Sequence, residues 1–399
     1  MSGFTDLELY ADYRDILDHV KRREPTMAPD ILKIRVSDYT DRERWEREVK
    51  LFRTTPMLLA FASDLPEPGT YWAMTRVGVP LILTRLKSGE VRLFINACRH
   101  RGAKVINEGK GQQPRFTCIY HAWTYGLDGK LLALPENRIF GNVDKSEYGL
   151  SELEVEERAG IIWAVLTPGI ALNLDDFLGE ELDGLLRKSQ FERFHSINLV
   201  ELPAANWKIT YEGNLESYHF ASLHAKSFAS FTYPNVMTTK RLGPHLRNIT
   251  PVVGIEECDP SSRADLQRYV QTSYLFFPST IASFASDTAF GGGEKSAEVV
   301  SRIFMNQVLP GESPDTSVTI SRTLVSVPFV GTPLEESTRA WAHSSHETVR
   351  TEDYPVVQGA QANLTSGAQE YLTIGRNEIA IHHFHDALRK SLETEPVSA

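Results

Sequence analysis

The sequence has few cysteines, no long apolar run and no excess of positive charge. Only three cysteines occur among its 399 residues, namely Cys98, Cys118 and Cys258, and a small odd number argues against a secreted disulfide framework. The longest apolar run, residues 159–166, is much shorter than the roughly 20 residues that cross a bilayer. The formal net charge of −10 opposes tight binding to nucleic acid or anionic lipid. We therefore expect neither a nucleic-acid partner nor a membrane partner.

The sequence also lacks targeting and nucleotide-binding signals. Its first eight residues, MSGFTDLE, do not have the basic and apolar regions of a secretory signal. We expect a cytoplasmic location, where cysteines bind metal or stay free. Gly291–Gly293 is not followed by the Lys-Ser/Thr pair of a phosphate-binding loop, and no nicotinamide or flavin fingerprint is present. Any electrons for a redox reaction would therefore come from a separate protein.

The pattern of apolar residues divides the chain into three segments. Residues 1–55 contain amphipathic helical patterns, and residues 56–167 contain short β-rich runs separated by turn signals such as Lys87–Glu90. After residue 168, strand-like runs are followed by helical ones, including a helix predicted over Trp207–Ala225. Strands followed by helices are typical of an α+β domain. The sequence thus predicts an α+β protein in which a small β-sandwich precedes a larger α+β domain.

Two short turns each contain one cysteine and one histidine. Cys98 and His100 are separated by one residue, Cys118 and His121 by two, and 17 residues lie between the turns. Zinc accepts two cysteines and two histidines, whereas a Rieske [2Fe–2S] cluster places two cysteines on one iron and two histidines on the other. Zinc fingers usually group their cysteines and their histidines separately. The alternation within each turn therefore favours the Rieske cluster, with structural zinc as the alternative.

A second group of metal-binding residue types follows in the predicted helix. His219 and His224 are five residues apart, so a regular helix would point them about 140° apart, and a shared metal needs a helix end or a π-bulge between them. Two imidazoles and one carboxylate form the facial triad of non-haem Fe(II) oxygenases. Alone, this pair is better explained as surface or core histidines. The cluster motif favours the iron site, because an electron relay needs an acceptor.

These motifs resemble a known family. The segments Cys98-Arg-His-Arg-Gly and Cys118-Ile-Tyr-His-Ala-Trp resemble the signature of Rieske non-haem iron oxygenases, and Glu216-x-x-His219-x4-His224 is similar to their E/D-x-x-H-x4-H motif. The chain length is also similar to that of the large (alpha) subunit of aromatic ring-hydroxylating oxygenases. The resemblance implies a Rieske domain at residues 56–167 and a catalytic domain at residues 168–399 with a central antiparallel sheet of helix-grip type. Residues 1–55 would pack with the catalytic domain.

The resemblance also implies the ligands of two iron centres. Four residues would hold the [2Fe–2S] cluster, namely Cys98, His100, Cys118 and His121. His219 and His224 would bind a mononuclear ferrous ion. Arg350–Gln361 resembles the family segment in which a Glu-Asp pair precedes a helix with glutamine eight residues on, which implies Asp353 as the third ligand. The alternatives are that Glu352 or another acid is the third ligand, and that Asp353 is only a solvated acid at a helix start.

Glu216 would have a different role in the same family. An acid at this position links the iron histidine of one subunit to a cluster histidine of the neighbouring subunit, which implies that Glu216 conducts electrons across an interface. The alternative is an ordinary acid that orients His219. The family's usual assembly implies a homotrimer.

The resemblance implies the terminal oxygenase component of a multicomponent system. The chain would use O2 and electrons from NAD(P)H, delivered by a separate reductase with or without a ferredoxin. Aromatic residues concentrate in the second half of the chain, and we expect some of them to line an apolar substrate pocket; they are Phe228, Phe231, Tyr233, Phe276, Phe277, Phe284 and Phe290.

Several reactions and functions remain open from the sequence. Dihydroxylation, monohydroxylation and oxidative dealkylation all use this apparatus. We expect an apolar, aromatic small-molecule substrate, with a quaternary amine as the alternative. A Rieske electron carrier without oxygenase activity is an alternative of a different class. The other histidine pairs, His343 with His346 and His382 with His385, have the spacing of one helix face, and we expect packing or surface roles for them.

Overall fold

A computed structural model describes residues 7–141, 143–189, 191–285, 302–326 and 330–394. Phe290 and Gly291–Gly293 lie outside the described residues. The helices are α1 Leu7–Arg22, α2 Ser37–Thr40, α3 Arg42–Thr54, α4 Asn137–Phe140, α5 Leu174–Ser189, α6 Trp207–Glu212, α7 Arg263–Arg268, α8 Pro333–Thr348, α9 Tyr354–Leu364 and α10 Ile379–Thr394. None of the helices in these residues combines the length and the apolar character that crossing a bilayer requires.

The strands are short in the first half of the chain and longer in the second. They are β1 Leu32–Arg35, β2 Met57–Phe61, β3 Thr70–Arg76, β4 Val79–Arg85, β5 Val91–Ile95, β6 Gly109–Gln112, β7 Arg115–Thr117, β8 Thr124–Gly126, β9 Leu131–Ala133, β10 Glu152–Leu153, β11 Val155–Arg158, β12 Ile161–Ala164, β13 Phe194–Ala204, β14 Thr238–Leu242, β15 His245–Pro251, β16 Val270–Phe276, β17 Thr280–Ala285, β18 Arg302–Pro310, β19 Ser317–Ser326 and β20 Tyr371–Ile374. The α+β class is confirmed.

The chain folds as two compact units. One contains residues 50–177 and 190–192, and the other contains residues 1–49, 178–189 and 193–399. Our division into residues 1–55, 56–167 and 168–399 remains a proposal made from the sequence.

The smaller unit is built from antiparallel strands. Its sheets have the orders β10-β5-β4-β3-β6, β11-β12-β2 and β7-β8-β9. Strands β4 and β5 pair as a hairpin across Lys87–Glu90, where the sequence predicts one. A buried cluster that includes Phe116, Trp123 and Tyr125 packs around Cys98 and Cys118. The core of this unit therefore lies directly against the two predicted ligand turns.

The larger unit is built on one seven-stranded antiparallel sheet. The strand order is β13-β19-β18-β17-β16-β15-β14. Helix α1 packs against β15 and α7 through an apolar face that includes Leu9, Tyr13 and Ile16. Helix α8 packs on β13 and β19, and α6 packs on β18 and β19. The sheet therefore supports the two helices that precede the predicted iron ligands.

The helix predicted over Trp207–Ala225 is wrong in its length. Helix α6 ends at Glu212, and the backbone N–H of Asn214 closes a turn by donating to the carbonyl of Tyr211 at 2.8 Å. Gly213 and Asn214 both have low helix propensity, and the chain leaves the helix there. The next regular piece is a single 3₁₀ helix, Tyr218–Ala221. His219 lies in this 3₁₀ helix and His224 lies beyond its end, which satisfies the need for a helix end between them.

A buried ion pair anchors the start of α6. The ammonium group of Lys208 contacts the carboxylate of Glu48, and both side chains are at most 1% exposed. Glu48 also accepts hydrogen bonds from the Trp207 indole at 2.8 Å and from Arg44 at 3.0 Å. Burial lowers the pKa of Lys208, although Glu48 acts in the opposite direction. Lys208 therefore depends on Glu48 to remain charged inside the protein.

Replacing Glu48 with glutamine should destabilise the protein strongly. Glu48→Gln removes the charge and leaves the Lys208 ammonium group buried, which costs about 3–5 kcal/mol when one partner of a buried pair is lost. Urea unfolding should measure this loss. Glu46→Gln on the same helix is the matched control, because Glu46 forms an exposed pair with Arg42 and should change stability by less than about 1 kcal/mol. Equal effects of the two variants would contradict the interpretation.

Candidate metal centres

The two Cys–His turns have the same backbone conformation. The N–H of Cys98 donates to the carbonyl of Ala103 at 2.8 Å, and the N–H of Cys118 donates to the carbonyl of Trp123 at 2.9 Å. In each turn a residue four positions after the cysteine has a positive φ, 74° at Gly102 and 56° at Ala122. Glycine adopts this left-handed conformation at no steric cost, which explains its place in the first turn. The repeated geometry presents one thiol and one imidazole from each turn.

The four side chains form a thiol pair and an imidazole pair. The thiols of Cys98 and Cys118 are buried. Burial raises the pKa of Cys118 and outweighs the backbone hydrogen bonds from Tyr120 and His121, which act to lower it. The His100 and His121 rings lie with their centroids 4.7 Å apart. A [2Fe–2S] cluster with two cysteines on one iron and two histidines on the other needs this separation of ligand types. The four residues present therefore fit the cluster.

Aromatic residues support this ligand set. The Trp123 ring stacks on His100 with centroids 5.1 Å apart and planes 8° apart. The Tyr125 hydroxyl lies 3.2 Å from the sulfur of Cys98 and accepts from the N–H of Arg99 at 3.0 Å. Hydrogen bonds to the sulfurs are one way in which a protein adjusts the potential of a cluster. Tyr125 is therefore placed to tune this centre.

The second site joins residues more than a hundred positions apart. His219, His224 and Asp353 each direct a ligand atom to one place, and these atoms lie within 4.8 Å of one another. The Oδ1 atom of Asp353 is 3.2 Å from Nε2 of His224 and 3.7 Å from Nε2 of His219. The Oδ2 atom of Asp353 is buried and has no hydrogen-bond partner among the described residues. A bare carboxylate oxygen beside two imidazole nitrogens fits a bound cation.

Asp353 is positioned by an unusual helix. It is the last residue of a π-helix, Val349–Asp353, which connects α8 and α9, and π-helices often occur at functional sites. Pro355 is the second residue of α9, directly after the π-helix, and it lacks the N–H that a continuous helix would use at this position. Gln361 accepts a hydrogen bond from the N–H of Asn206 at 3.2 Å, and the side chain of Asn206 caps α6. This bond ties the helix after Asp353 to the helix that precedes the histidines.

Each histidine of the site also contacts a carboxylate through its other nitrogen. Glu216 hydrogen-bonds Nδ1 of His219, and Glu352 hydrogen-bonds Nδ1 of His224 at 2.7 Å. Both imidazoles are thereby held with Nε2 towards Asp353, an arrangement typical of histidine metal ligands. Burial acts to lower the pKa of His224, but hydrogen bonds to Asp353 and Glu352 outweigh it and raise the pKa. The hydrogen bond with His224 in turn lowers the pKa of Glu352.

Glu352 is the residue whose role the sequence did not indicate. The sequence placed it only among the alternatives for the third ligand, whereas in the structure it contacts His224 on the side away from Asp353. Ser227 holds it there by donating a hydrogen bond at 3.0 Å. The only signal in the sequence for this role was the position of Glu352 next to Asp353. Adjacent residues on a helix diverge in direction, so the two neighbouring acids cannot face the same atom.

Replacing Glu352 should weaken metal binding without removing a ligand. Glu352→Ala deletes the acceptor for Nδ1 of His224, and loss of such a partner typically lowers metal affinity by about 10- to 100-fold. The rate at which a chelator removes iron from the protein measures this effect. Glu347→Ala, on the same helical stretch and about half exposed, is the matched control and should leave the rate unchanged. Equal rates for Glu352→Ala and the unmodified protein would contradict the assigned role.

The metal site opens into a cavity of about 250 Å³. Phenylalanine and tryptophan side chains form part of its wall, namely Phe220, Phe228, Phe231, Phe304 and Trp341. Of the other aromatic residues expected there, Phe276, Phe277 and Phe284 are buried elsewhere, and Tyr233 donates to Glu256. Phe228 and Phe231 line the cavity, as expected for some of these aromatic residues, whereas the other four contact different parts of the molecule.

The wall that the sheet contributes to the cavity is more polar than expected. A row of residues paired across five strands faces the cavity, in the order Asn248, Ser273, Ser283, Phe304 and Thr323. Residues paired across neighbouring strands point to the same face of a sheet, so these side chains form one continuous surface. His346 also lines the cavity, contrary to the packing or surface role expected for it. By contrast, His385 is buried against Glu212.

Comparison with known proteins identifies the class. Residues 55–144 match the Rieske [2Fe–2S] domain, and residues 191–394 match the ring-hydroxylating alpha subunit (catalytic domain). The chain belongs to the family of ring-hydroxylating oxygenase alpha subunits. This family uses a Rieske [2Fe–2S] cluster, mononuclear iron and O2, and both side-chain sets described above fit those groups.

Curated relatives act on chemically different substrates. The alpha subunit of biphenyl 2,3-dioxygenase from Rhodococcus jostii (strain RHA1) is 31% identical over 205 residues, which is 50% of this chain and 43% of the relative. The oxygenase subunit of glycine betaine monooxygenase from Pseudomonas aeruginosa (strain UCBPP-PA14) is 30% identical over 188 residues, 47% of this chain and 43% of the relative. The chain thus spans less than half the length of these relatives.

Solved structures show the same fold over nearly the whole chain. The quaternary ammonium Rieske monooxygenase CntA in complex with L-carnitine has a TM-score of 0.74 at 20% identity, covering 92% of this chain and 97% of that one. Naphthalene 1,2-dioxygenase from Rhodococcus sp. bound to indole has a TM-score of 0.73 at 17% identity, covering 98% and 100%. The α+β catalytic fold behind a Rieske domain is therefore confirmed.

Proposed function

We propose that this chain is the terminal oxygenase component of a multicomponent Rieske system. It would use O2 and electrons from NAD(P)H, supplied by a separate reductase with or without a ferredoxin. Its substrate would be a small molecule with an aromatic or otherwise apolar body, which it hydroxylates or oxidatively dealkylates. The observation that supports this most is the His219–His224–Asp353 site at the edge of a cavity with aromatic walls.

The residues of the site have distinct tasks in this proposal. When bound, the cluster supplies single electrons and the ferrous ion supplies O2 activation. His219, His224 and Asp353 would hold the ion at the edge of the cavity. Glu216 and Glu352 hold the two imidazoles in one tautomer. Phe228, whose ring centroid is 4.8 Å from that of His224, shields the site from water and supports the substrate.

Glu216 is our candidate for contact between subunits. We propose that, in a homotrimer, Glu216 connects His219 to a cluster histidine of the neighbouring subunit. Its side chain is 11% exposed and already contacts His219, so it reaches the iron histidine on one side. The alternative is that Glu216 only orients His219.

We also propose a cytoplasmic location, which the small number of cysteines supports.

A panel assay tests the proposed activity. The purified, iron-loaded protein is mixed with a surrogate reductase and NADH, and O2 and NADH consumption are followed with aromatic hydrocarbons and with quaternary amines. Substrate-dependent consumption with recovery of an oxygenated or dealkylated product supports the proposal. A variant with His219→Ala and His224→Ala is the control for uncoupled oxidation. Consumption that does not depend on any substrate, together with about two irons per chain, would instead indicate an electron carrier.

A quaternary amine is the second candidate substrate. The observation that favours it is the pair Phe304 and Trp341 in the cavity wall, with ring centroids 4.1 Å apart. Aromatic faces attract quaternary ammonium groups by cation–π interaction. The same panel distinguishes the two classes by which one stimulates O2 consumption.

A further inference from the structure

A hydrogen-bonded chain of three side chains ends at the cavity. The Oγ atom of Ser321 lies 2.7 Å from Nε2 of His346, and Nδ1 of His346 lies 3.4 Å from the side-chain nitrogen of Asn198. Ser321 and His346 both line the cavity. Ser321 is on β19, Asn198 is on β13 and His346 is on α8, so three different elements converge here.

The chemistry of these three side chains determines which atom donates each hydrogen bond. Burial, followed by the charge of His343, lowers the pKa of His346, so its ring is neutral at neutral pH and has one N–H. The Asn198 amide nitrogen is a donor, and it therefore requires Nδ1 of His346 to accept. The ring proton then lies on Nε2 and is donated to Ser321. The oxygen of Ser321 accepts in this bond, and its own proton is left for another acceptor.

The Ser321 hydroxyl is directed to the cavity side of the sheet. Ser321 alternates with Thr319 and Thr323, which also line the cavity, and residues two apart on a strand share a face. Among the described residues, the Ser321 hydroxyl forms a hydrogen bond only with His346. Its side chain is 5% exposed, so bulk water does not readily take up the proton. A ligand in the cavity is the available acceptor.

We propose that Ser321 is a specificity-determining hydrogen-bond donor, positioned by His346 and Asn198, for a carbonyl-type oxygen of the substrate. The apolar part of that substrate would pack against Phe304 and Trp341. The proposal rests on the proposed oxygenase function and narrows it from apolar molecules in general to apolar molecules with an oxygen acceptor. A polar site that pairs with one oxygen rejects the analogue that lacks it, because the donor is then left unpaired.

The test compares two ligands of the same shape. Acetophenone and α-methylstyrene differ in having C=O or C=CH2 at the same position. Their binding to the iron-loaded protein is measured calorimetrically without reductant, so that no turnover occurs. We expect the unmodified protein to prefer acetophenone. Ser321→Ala should lower the affinity for acetophenone by about 3- to 10-fold and leave that for α-methylstyrene unchanged, whereas Ser321→Thr should restore the preference.

A spectroscopic measurement separates positioning from structural damage. The C=O stretching frequency of bound acetophenone should be lower in the unmodified protein than in Ser321→Ala, because a hydrogen bond weakens the carbonyl bond. His346→Leu should reduce this shift, and His343→Leu, an exposed residue on the same helix, should not. Equal affinities for the two ligands in the unmodified protein, binding of neither ligand, or an equal loss of both in Ser321→Ala would each overturn the proposal. Lack of O2 consumption with a reductase would overturn the oxygenase function while leaving this preference intact.

Discussion

Asp353→Ala should remove the mononuclear iron and leave the cluster in place. The total iron is expected to fall from about three to about two per chain, and substrate oxidation should fall to the background. Among the described residues, Asp353 completes the metal-ligand group with both histidines. Its loss should therefore lower the iron affinity by more than the about 10- to 100-fold expected when an outer hydrogen-bond partner is lost. Iron analysis and the cluster absorption, measured on the same sample, check both parts of this prediction.

Two further variants make the result interpretable. Asp315→Ala, an exposed acid in the connection between β18 and β19, should keep all three irons and full activity. The double variant His219→Ala with His224→Ala should reproduce the loss seen for Asp353→Ala. Retention of a mononuclear ferrous signal in that double variant would show that the iron lies elsewhere.

Cys98→Ala should abolish the cluster and the brown colour of the protein. The cluster requires four protein ligands, so about two irons per chain should be lost and electron transfer to the catalytic site should stop. Absorption spectra and iron analysis measure the loss. Cys258→Ala is the matched control, because Cys258 is also buried but belongs to the other compact unit. Loss of the colour in both variants would contradict our assignment of the ligands.

A milder variant tests the same centre if Cys98→Ala does not fold. Tyr125→Phe keeps all four ligands and removes the hydroxyl 3.2 Å from the Cys98 sulfur. A hydrogen bond of about 1 kcal/mol corresponds to a shift on the order of 50 mV for one electron. The reduction potential should fall by that amount, because the lost bond favours the more negative, reduced state. An unchanged potential would show that Tyr125 does not act on the cluster.

The arrangement of the Cys–His turns could be predicted from sequence because it is local. The backbone hydrogen bonds that close the first turn join Cys98 to Gly102 and Ala103, and those of the second join Cys118 to Ala122 and Trp123. The spacing of His219 and His224 likewise required a helix end between them, and the 3₁₀ helix that contains His219 ends at Ala221. The length of the helix was overestimated, since apolar periodicity continues past a point where two poor helix formers stop the backbone pattern.

Contacts between distant segments could not be predicted from the sequence without the family resemblance. Nothing in the spacing of residues places Asp353 beside His224, and the resemblance alone indicated it. The contact of Glu352 with His224 depends on the π-helix, whose extra residue per turn changes the direction of each following side chain. In a regular helix, His346 and Asp353 would share one face because they are seven residues apart. The sequence shows neither the π-helix between them nor the helix face that borders the cavity.

By itself, the sequence determined the two Cys–His turns, the spacing of His219 and His224 and the α+β class of the fold, because these depend on patterns of residues that are near in the chain. The tertiary structure decided which side chains surround the cavity. Its polar wall comes from strands β15 to β19, whose register aligns Asn248, Ser273, Ser283 and Thr323. Strand register and helix packing are collective results of burying the whole core, so the residues that meet a substrate become known only when the chain has folded.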